Sequence, residues 1–459
     1  MRTTVICGGR VIDPSQRMDM IADVVCVEGK VRQVVPCGCT ESADWVKIAD
    51  TVVDAAGMIV TPGFIDIHMH EDPYHEDSDT LEHHIDRTML RMGVTTAVGG
   101  NCGSNNAAPD VYFDALDRHG AACNLALYVG HTYLRNRCSD VSKYRPVSDE
   151  AINEMEKLGK YYLDSGCVGV SFGVKYIPGT RWEEIITLAK LCKEDHKTVS
   201  SHVRMDVDGV FDACKELAKI GEQAGIKVQF SHIGSMGGYG QMPKLLEQIE
   251  DYRKNGIDLM CDCYPYDAFS TEIGATTYDA QNFAAYRSDY SHILLCDGPY
   301  AGMRCTKEIF DEMREHRPDT MTVGYFMRQE DVDLALSKPY VMLGSDGILV
   351  GEQGHPRAAG AFPRFLHQYA ASGRMDLMTA IAKITSMPAE RLGLDKKGSL
   401  IPGSDADITV FDLNKVKDHA TYTDPVLPPD GIAYVLIGGE LAVKDQTIVR
   451  DDLGRSVRI

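Results

Sequence analysis

The hydrophobic pattern divides the chain into three textures. Residues 1–58 alternate apolar and polar positions in short runs, with Gly8-Gly9, Glu28-Gly29-Lys30 and Ala56-Gly57 as turns. This predicts strands over Thr4–Cys7, Val11–Ile12, Asp23–Glu28, Val31–Pro36 and Thr51–Asp54, with no long amphipathic helix among them. From residue 59 nearly continuous apolar runs alternate with segments of helical period. The runs are Ile59–His68, Val94–Gly99, Asn124–Gly130, Val168–Phe172, Thr198–Val203, Lys227–Ile233, Asp258–Tyr264 and Tyr340–Ser345. Strands of this kind have both faces buried, as in a parallel sheet covered by helices. The helical segments include Thr80–Met92, Asp149–Ser165, Arg181–Asp195, Asp208–Ala224, Gln241–Asn255 and Lys307–Glu315. Eight strand–helix units predict an α/β fold of the (β/α)8, TIM-type barrel class. The competing architecture, an open doubly wound sheet, needs a phosphate-binding glycine turn. Gly234–Gly240 is glycine-rich but lacks the lysine and Ser/Thr of one.

After Pro402 the β texture returns over Ala406–Phe411, Gly431–Ile437, Glu440–Lys444 and Thr447–Val449. Neither terminal segment can bury a core alone, so the two should pack together as one small β-sandwich domain. The expected organisation is residues 1–59 with 401–459 in the sandwich, 60–400 in the barrel, and a lid or specificity segment near 278–307. The formal charge of −20 argues against a nucleic-acid or anionic-membrane partner, though a local pocket can still oppose the global sign. No apolar run spans a bilayer and no signal-peptide core opens the chain. Fourteen cysteines without framework spacing predict reduced thiols and a cytoplasmic protein.

Chemistry-bearing residues change the picture when placed on these strands. The first strand ends in Asp66-Ile67-His68-Met69-His70, where residues two apart share a face. A lone His-x-His is more often a polar strand edge than a metal site. Here Cys102 follows the second strand, His131 closes the third, His202 lies in the fifth, His232 closes the sixth and Asp346 the eighth. All are at strand C-termini, where barrel enzymes place their chemistry. Imidazoles with one thiolate predict zinc rather than magnesium or calcium. Such a metal acidifies bound water and polarises a carbonyl. Asp346 is then a candidate general base, or a plain metal ligand, or both.

These residues resemble the amidohydrolase superfamily. The first-strand motif is Val60-Thr61-Pro62-Gly63-Phe64-Ile65-Asp66-Ile67-His68-Met69-His70, and the exit motif lies in Ser386–Leu394 and Lys397–Ile408. Within it the chain is most similar to the N-acyl-D-amino-acid deacylases, through Asn101-Cys102-Gly103, Val129-Gly130-His131, Tyr264-Pro265-Tyr266 with Ser270-Thr271, Gly344-Ser345-Asp346-Gly347, and His355-Pro356-Arg357 with Phe362-Pro363-Arg364. The resemblance implies a tight zinc position on Cys102, His202 and His232. It implies a second, weaker one on His68, His70, Cys102 and Asp346. Many superfamily members bridge two metals with a carboxylated lysine on the fourth strand; Ser171 stands there, and Cys102 would take over the bridge. Lys175, beyond that strand, is expected to be solvated or to meet a substrate carboxylate with Tyr176. In the deacylases a lysine two residues after the sixth-strand histidine holds the α-carboxylate, but this chain has Gly234. Tyr266, Ser270, Arg304 or Arg357 could hold a carboxylate instead, and His131 is a further substrate-contact candidate. Arg287, His292 and Arg304 fall in or near the lid segment. The implied activity is zinc-dependent deacylation of a small, carboxylate-bearing N-acyl-D-amino acid. A cyclic-amide hydrolase of dihydroorotase or hydantoinase type is the alternative, disfavoured by Ser171, and a scaffold without catalysis is disfavoured by the full ligand set. Oligomeric state is left open.

Overall fold

The computed structural model describes residues 2–194 and 196–459. Eight parallel strands form the barrel: Phe64–Asp66, Val94–Gly99, Asn124–Gly130, Gly169–Gly173, Thr198–His202, Lys227–Phe230, Leu259–Cys263 and Val341–Leu343, each hydrogen-bonded to the next in that order. The first and eighth strands meet just past their ends. Asp346 N donates to His68 O (2.7 Å) and His70 N to Gly347 O (2.9 Å), which closes the barrel on its C-terminal face. The Asp66 carboxylate sits in this seam, its Oδ1 accepting from His68 N (3.1 Å) and Ser345 N (2.9 Å). Burial raises this carboxyl to about 6.

The apolar run predicted as one first strand is two. Ile59–Pro62 joins the terminal sheet and Phe64–Asp66 opens the barrel. Gly63 makes the change of sheet possible, since a Cβ there would stand 2.0 Å from Thr95 Oγ1. The terminal sheet has nine strands. Ile408–Phe411 from the C-terminal part pairs antiparallel with Ile59–Pro62, so both chain ends share one sheet. Thr3–Asp13 pairs parallel with Thr51–Asp54 through its first half and with Ile59–Pro62 through its second, and antiparallel with Met18–Val27, where the register shifts between Ile6 and Gly9. The sheet packs around Ile6, Val11, Val24, Val60, Ile408 and Leu436. This is the small β domain expected from both termini.

Helices Asp149–Asp164, Val210–Ala224, Met242–Lys254 and Lys307–His316 lie within two residues of their predicted bounds. Trp182–Lys190 is also helical but shorter than predicted, since residues 191–194 are turn, and the predicted end, Asp195, lies outside the described residues. One expectation fails, and one short helix was not predicted. The helix predicted from Thr80 begins at Ile85, because the buried Asp72 carboxylate accepts from His84 N, Ile85 N and Asp86 N and fixes the first turn there. The N-terminal segment does hold a helix, Thr40–Ile48, started by Cys39 Sγ accepting from Ser42 N. It covers Val5, Val25 and Val35 with Trp45. Between the seventh and eighth strands an insertion carries the antiparallel strands Phe269–Glu272, Ile293–Leu295 and Met321–Gly324. No helix among the described residues is long and apolar enough to cross a membrane.

Gly63→Ala should lower stability by about 1–3 kcal/mol, the usual range for overpacking. Denaturant unfolding measures it, and an unchanged midpoint would show that the Thr95 contact relaxes freely.

Candidate metal centre

Cys102 lies on a short turn, Asn101–Gly103, after the second strand. Ser171, on the fourth strand, clamps this turn: its hydroxyl donates to Gly100 O and accepts from Gly103 N (3.0 Å). The residue at the position where a bridging lysine is common therefore buttresses the thiol's loop. Cys102, His232 and Asp346 all hold left-handed backbone, with φ of 53°, 34° and 51°. Such conformations cost roughly 1–3 kcal/mol each and concentrate at functional sites.

The side chains converge as two groups that share Cys102. His68, His70, Cys102 and Asp346 form one; Cys102, His202 and His232 form the other, and within each group the ligand atoms lie within 4.8 Å of one another. Cys102 Sγ is 3.5 Å from His68 Nε2 and 3.4 Å from His232 Nε2. Asp346 Oδ1 is 3.1 Å from His70 Nε2 and 3.4 Å from His68 Nε2. Both ring nitrogens of the buried His202 lack a hydrogen-bond partner. An orphaned imidazole beside a thiol and a second imidazole is the donor set zinc takes, so the residues fit a metal ion.

Burial holds His202 down to about 4, with His232 adding to the effect, so its ring is neutral as a ligand requires. Burial alone would raise the Cys102 thiol, but the His232 and His68 imidazoles bring it well below its ordinary value. Burial likewise opposes ionisation of Asp346, and the Arg357 guanidinium, followed by His232, outweighs it. Arg357 Nη2 stands 2.8 Å from Asp346 Oδ2 and the guanidinium lies over the Tyr264 ring. His70 is raised to about 9: burial would lower it, and the hydrogen bond to Asp346 prevails.

Asp262, on the seventh strand, supports both groups. Its Oδ1 accepts from His232 N (2.7 Å) and faces His68 Nδ1 (3.1 Å), while its Oδ2 accepts from Gln229 Nε2 (2.9 Å). Binding Nδ1 in this way turns His68 Nε2 toward Cys102 and Asp346. Sequence reading passed over Asp262. The available signal was a carboxylate inside an apolar parallel strand, which must be paired to be buried.

Two cavities reach the centre. The outer one, about 530 Å³, is bordered by His70, Cys102, Tyr176, Ser270, Thr271 and Arg357. A tighter inner one touches His202, His232, Asp346, Lys175 and Asp206. Tyr176, Ser270, Thr271 and Asp346 border both. Of the expected substrate contacts, Tyr176, Ser270 and Arg357 thus reach the centre and three do not. His131 turns away to Glu184 (2.8 Å), which also binds Arg135. Tyr266 is enclosed between Arg364, Asp418 and Pro356 O. Arg304 is exposed and stacks on Tyr325 at 3.8 Å. Arg287 pairs with Asp208 at the surface and His292 with Ser288, and neither lines these two cavities. Lys175 is not solvated: it is buried and paired with Asp206.

The amidohydrolase family model matches residues 51–143 and 238–443. This chain belongs to the amidohydrolase family. The amidohydrolase is 31% identical to a D-aminoacylase of Alcaligenes xylosoxydans xylosoxydans, over 98% of this chain and 96% of that one. It is 30% identical to an N-acyl-D-glutamate deacylase of the same organism, over 95% and 92%. The N-acyl-D-glutamate deacylase of Bordetella bronchiseptica, solved with zinc and a phosphonate inhibitor that mimics the tetrahedral intermediate, superposes with a TM-score of 0.86 at 28% identity, over 99% of both chains.

Asp262→Asn should keep the fold and the bond from His232 N but weaken the hold on His68. A loss of roughly 10–100-fold in metal affinity or activity is expected for such an outer partner. Zinc titration of the purified variant checks it, and wild-type affinity with wild-type turnover would remove Asp262 from this role.

Proposed function

We propose that this amidohydrolase is zinc-dependent and removes the acyl group from N-acyl-D-amino acids. The observation that carries the reading is the pair of ligand groups sharing Cys102 with an ionised carboxylate, Asp346, at their edge. The likeness to deacylases over nearly the whole chain supports it. Cys102, His202 and His232 would hold the tighter zinc, and His68, His70, Cys102 and Asp346 a weaker second position. Zinc, when bound, supplies Lewis acidity that polarises the amide carbonyl and acidifies water. The chain's own residues supply the rest. Arg357 engages Asp346 Oδ2, leaving Oδ1 beside the ligand cluster as the proton-accepting atom. Asp346 takes the proton of the attacking water and delivers it to the amide nitrogen as the C–N bond breaks. Tyr176, Ser270 and Arg357 border the space a substrate would fill, and Phe269 lines its inner part. The insertion over 278–307 would serve as the lid, with Tyr286 as its contact to the inner cavity. Fourteen free cysteines suit a reducing, cytoplasmic setting. Ser171, committed to the Cys102 loop, weighs against a cyclic-amide hydrolase that relies on a lysine there.

A panel of N-acetyl-D- and N-acetyl-L-amino acids with hydantoins and dihydropyrimidines tests the reading; turnover confined to the cyclic amides would overturn it. Cys102→Ser should lose most bound zinc, because a hydroxyl is a far poorer ligand than a thiolate. Metal analysis showing full occupancy would exclude the thiolate from the site. Asp346→Asn should reduce kcat by roughly two to four orders of magnitude while the tight zinc stays. Near-normal turnover with full zinc would sink the general-base role.

A further inference from the structure

We infer that Lys175 binds the carboxylate of the substrate in the inner cavity and makes the enzyme selective for acyl amino acids that carry a single negative charge. The inference rests on the deacylase reading above and deepens it. Lys175 follows the fourth strand and is 4% exposed. A lysine is almost never this buried without a partner. Its Nζ pairs with Asp206 Oδ2, beyond the fifth strand, and the same oxygen accepts from the Tyr286 hydroxyl (2.5 Å) of the insertion. An ammonium carries three donors, and Asp206 uses one. Asp206 and Tyr286 therefore fix the ammonium in the cavity wall with donor capacity to spare. That wall also contains His202, His232 and Asp346, so an anion on Lys175 lies next to the reacting centre.

The sixth strand cannot supply this cation. Gly234, just past that strand, carries no side chain, and an added Cβ would meet Cys263 Sγ at 2.9 Å. The seventh strand packs against that position, so the positive group in this pocket comes from the loop after the fourth strand.

Charge sets the selectivity. Lys175 offers the inner cavity one cation, which one substrate carboxylate can pair with. The outer cavity carries Glu71 and Glu272 against Lys143, beside Ile177, Met321 and Leu349. A second carboxylate entering there meets a like-charged, partly apolar wall, at a cost in binding. Acyl amino acids with uncharged side chains are the matching class, and acyl-D-glutamate and acyl-D-aspartate are disfavoured.

The test compares zinc-loaded wild type with Lys175→Met and Lys175→Arg on N-acetyl-D-leucine, its neutral carboxamide N-acetyl-D-leucinamide, and N-acetyl-D-glutamate. In wild type, kcat/KM should favour the leucine acid over both others. In Lys175→Met the ratio of acid to carboxamide should fall on the order of 100-fold, the scale for losing one partner of a buried charged pair. The loss should lie mainly in KM, with zinc content unchanged, and Lys175→Arg should restore part of the ratio. An unchanged ratio in Lys175→Met overturns the carboxylate role, and a wild type that prefers the glutamate overturns the single-charge selectivity. If wild type hydrolyses none of them, the deacylase reading fails. Calorimetric binding of the acid and its carboxamide to wild type and Lys175→Met then still decides the carboxylate role, with equal acid affinities counting against it.

Discussion

A thiolate buried among imidazoles is the constraint on which the rest of the site depends. Cys102 is 5% exposed, and a charge so placed must be compensated. Compensation comes from strands far apart in sequence, His68 from the first and His232 from the sixth, with the neutral His202 of the fifth beside them. Closing the barrel brings these strand ends around one sulfur. The closure is itself made at the site, where His68 O and Asp346 N pair across the seam between first and eighth strands.

The supporting residues form a ring of buried hydrogen bonds beneath the ligands. Ser171 holds the Cys102 turn, Asp262 holds His68 and the backbone of His232, and Asp66 holds Ser345 beside Asp346. Each joins strands that are apart in sequence, so each positions a ligand, or the residue beside one, together with the strand ends. The left-handed backbone at Cys102, His232 and Asp346 is tolerated because these bonds over-determine it. Stability is thereby spent on placing ligand atoms, a common pattern at catalytic sites.

Much of this was legible in the sequence for a physical reason. Parallel barrel strands are apolar on both faces, so the run lengths marked all eight, and a polar residue at a strand's C-terminal end stood out against that background. The residues of the two convergent groups followed directly. What the pattern could not carry were partners decided by packing. His131 ends a strand as the ligands do, yet Glu184 from a neighbouring helix captures it. Tyr266 lies beside a motif that reaches the cavity but is itself enclosed by Arg364 and Asp418. Whether Lys175 is solvated or faces a substrate was left open, because its partner Asp206 is thirty-one residues away on another loop. The split of the first apolar run at Gly63 was visible as a Pro-Gly pair. Its consequence, a change of sheet, depends on Thr95 occupying the space of a side chain.

The central claim is that this thiolate binds the catalytic metal. X-ray absorption at the zinc edge of the zinc-loaded protein, with one equivalent bound, tests it most directly. The account predicts one sulfur neighbour at about 2.3 Å among nitrogen and oxygen neighbours at about 2.0–2.1 Å. A shell of nitrogen and oxygen alone would contradict it.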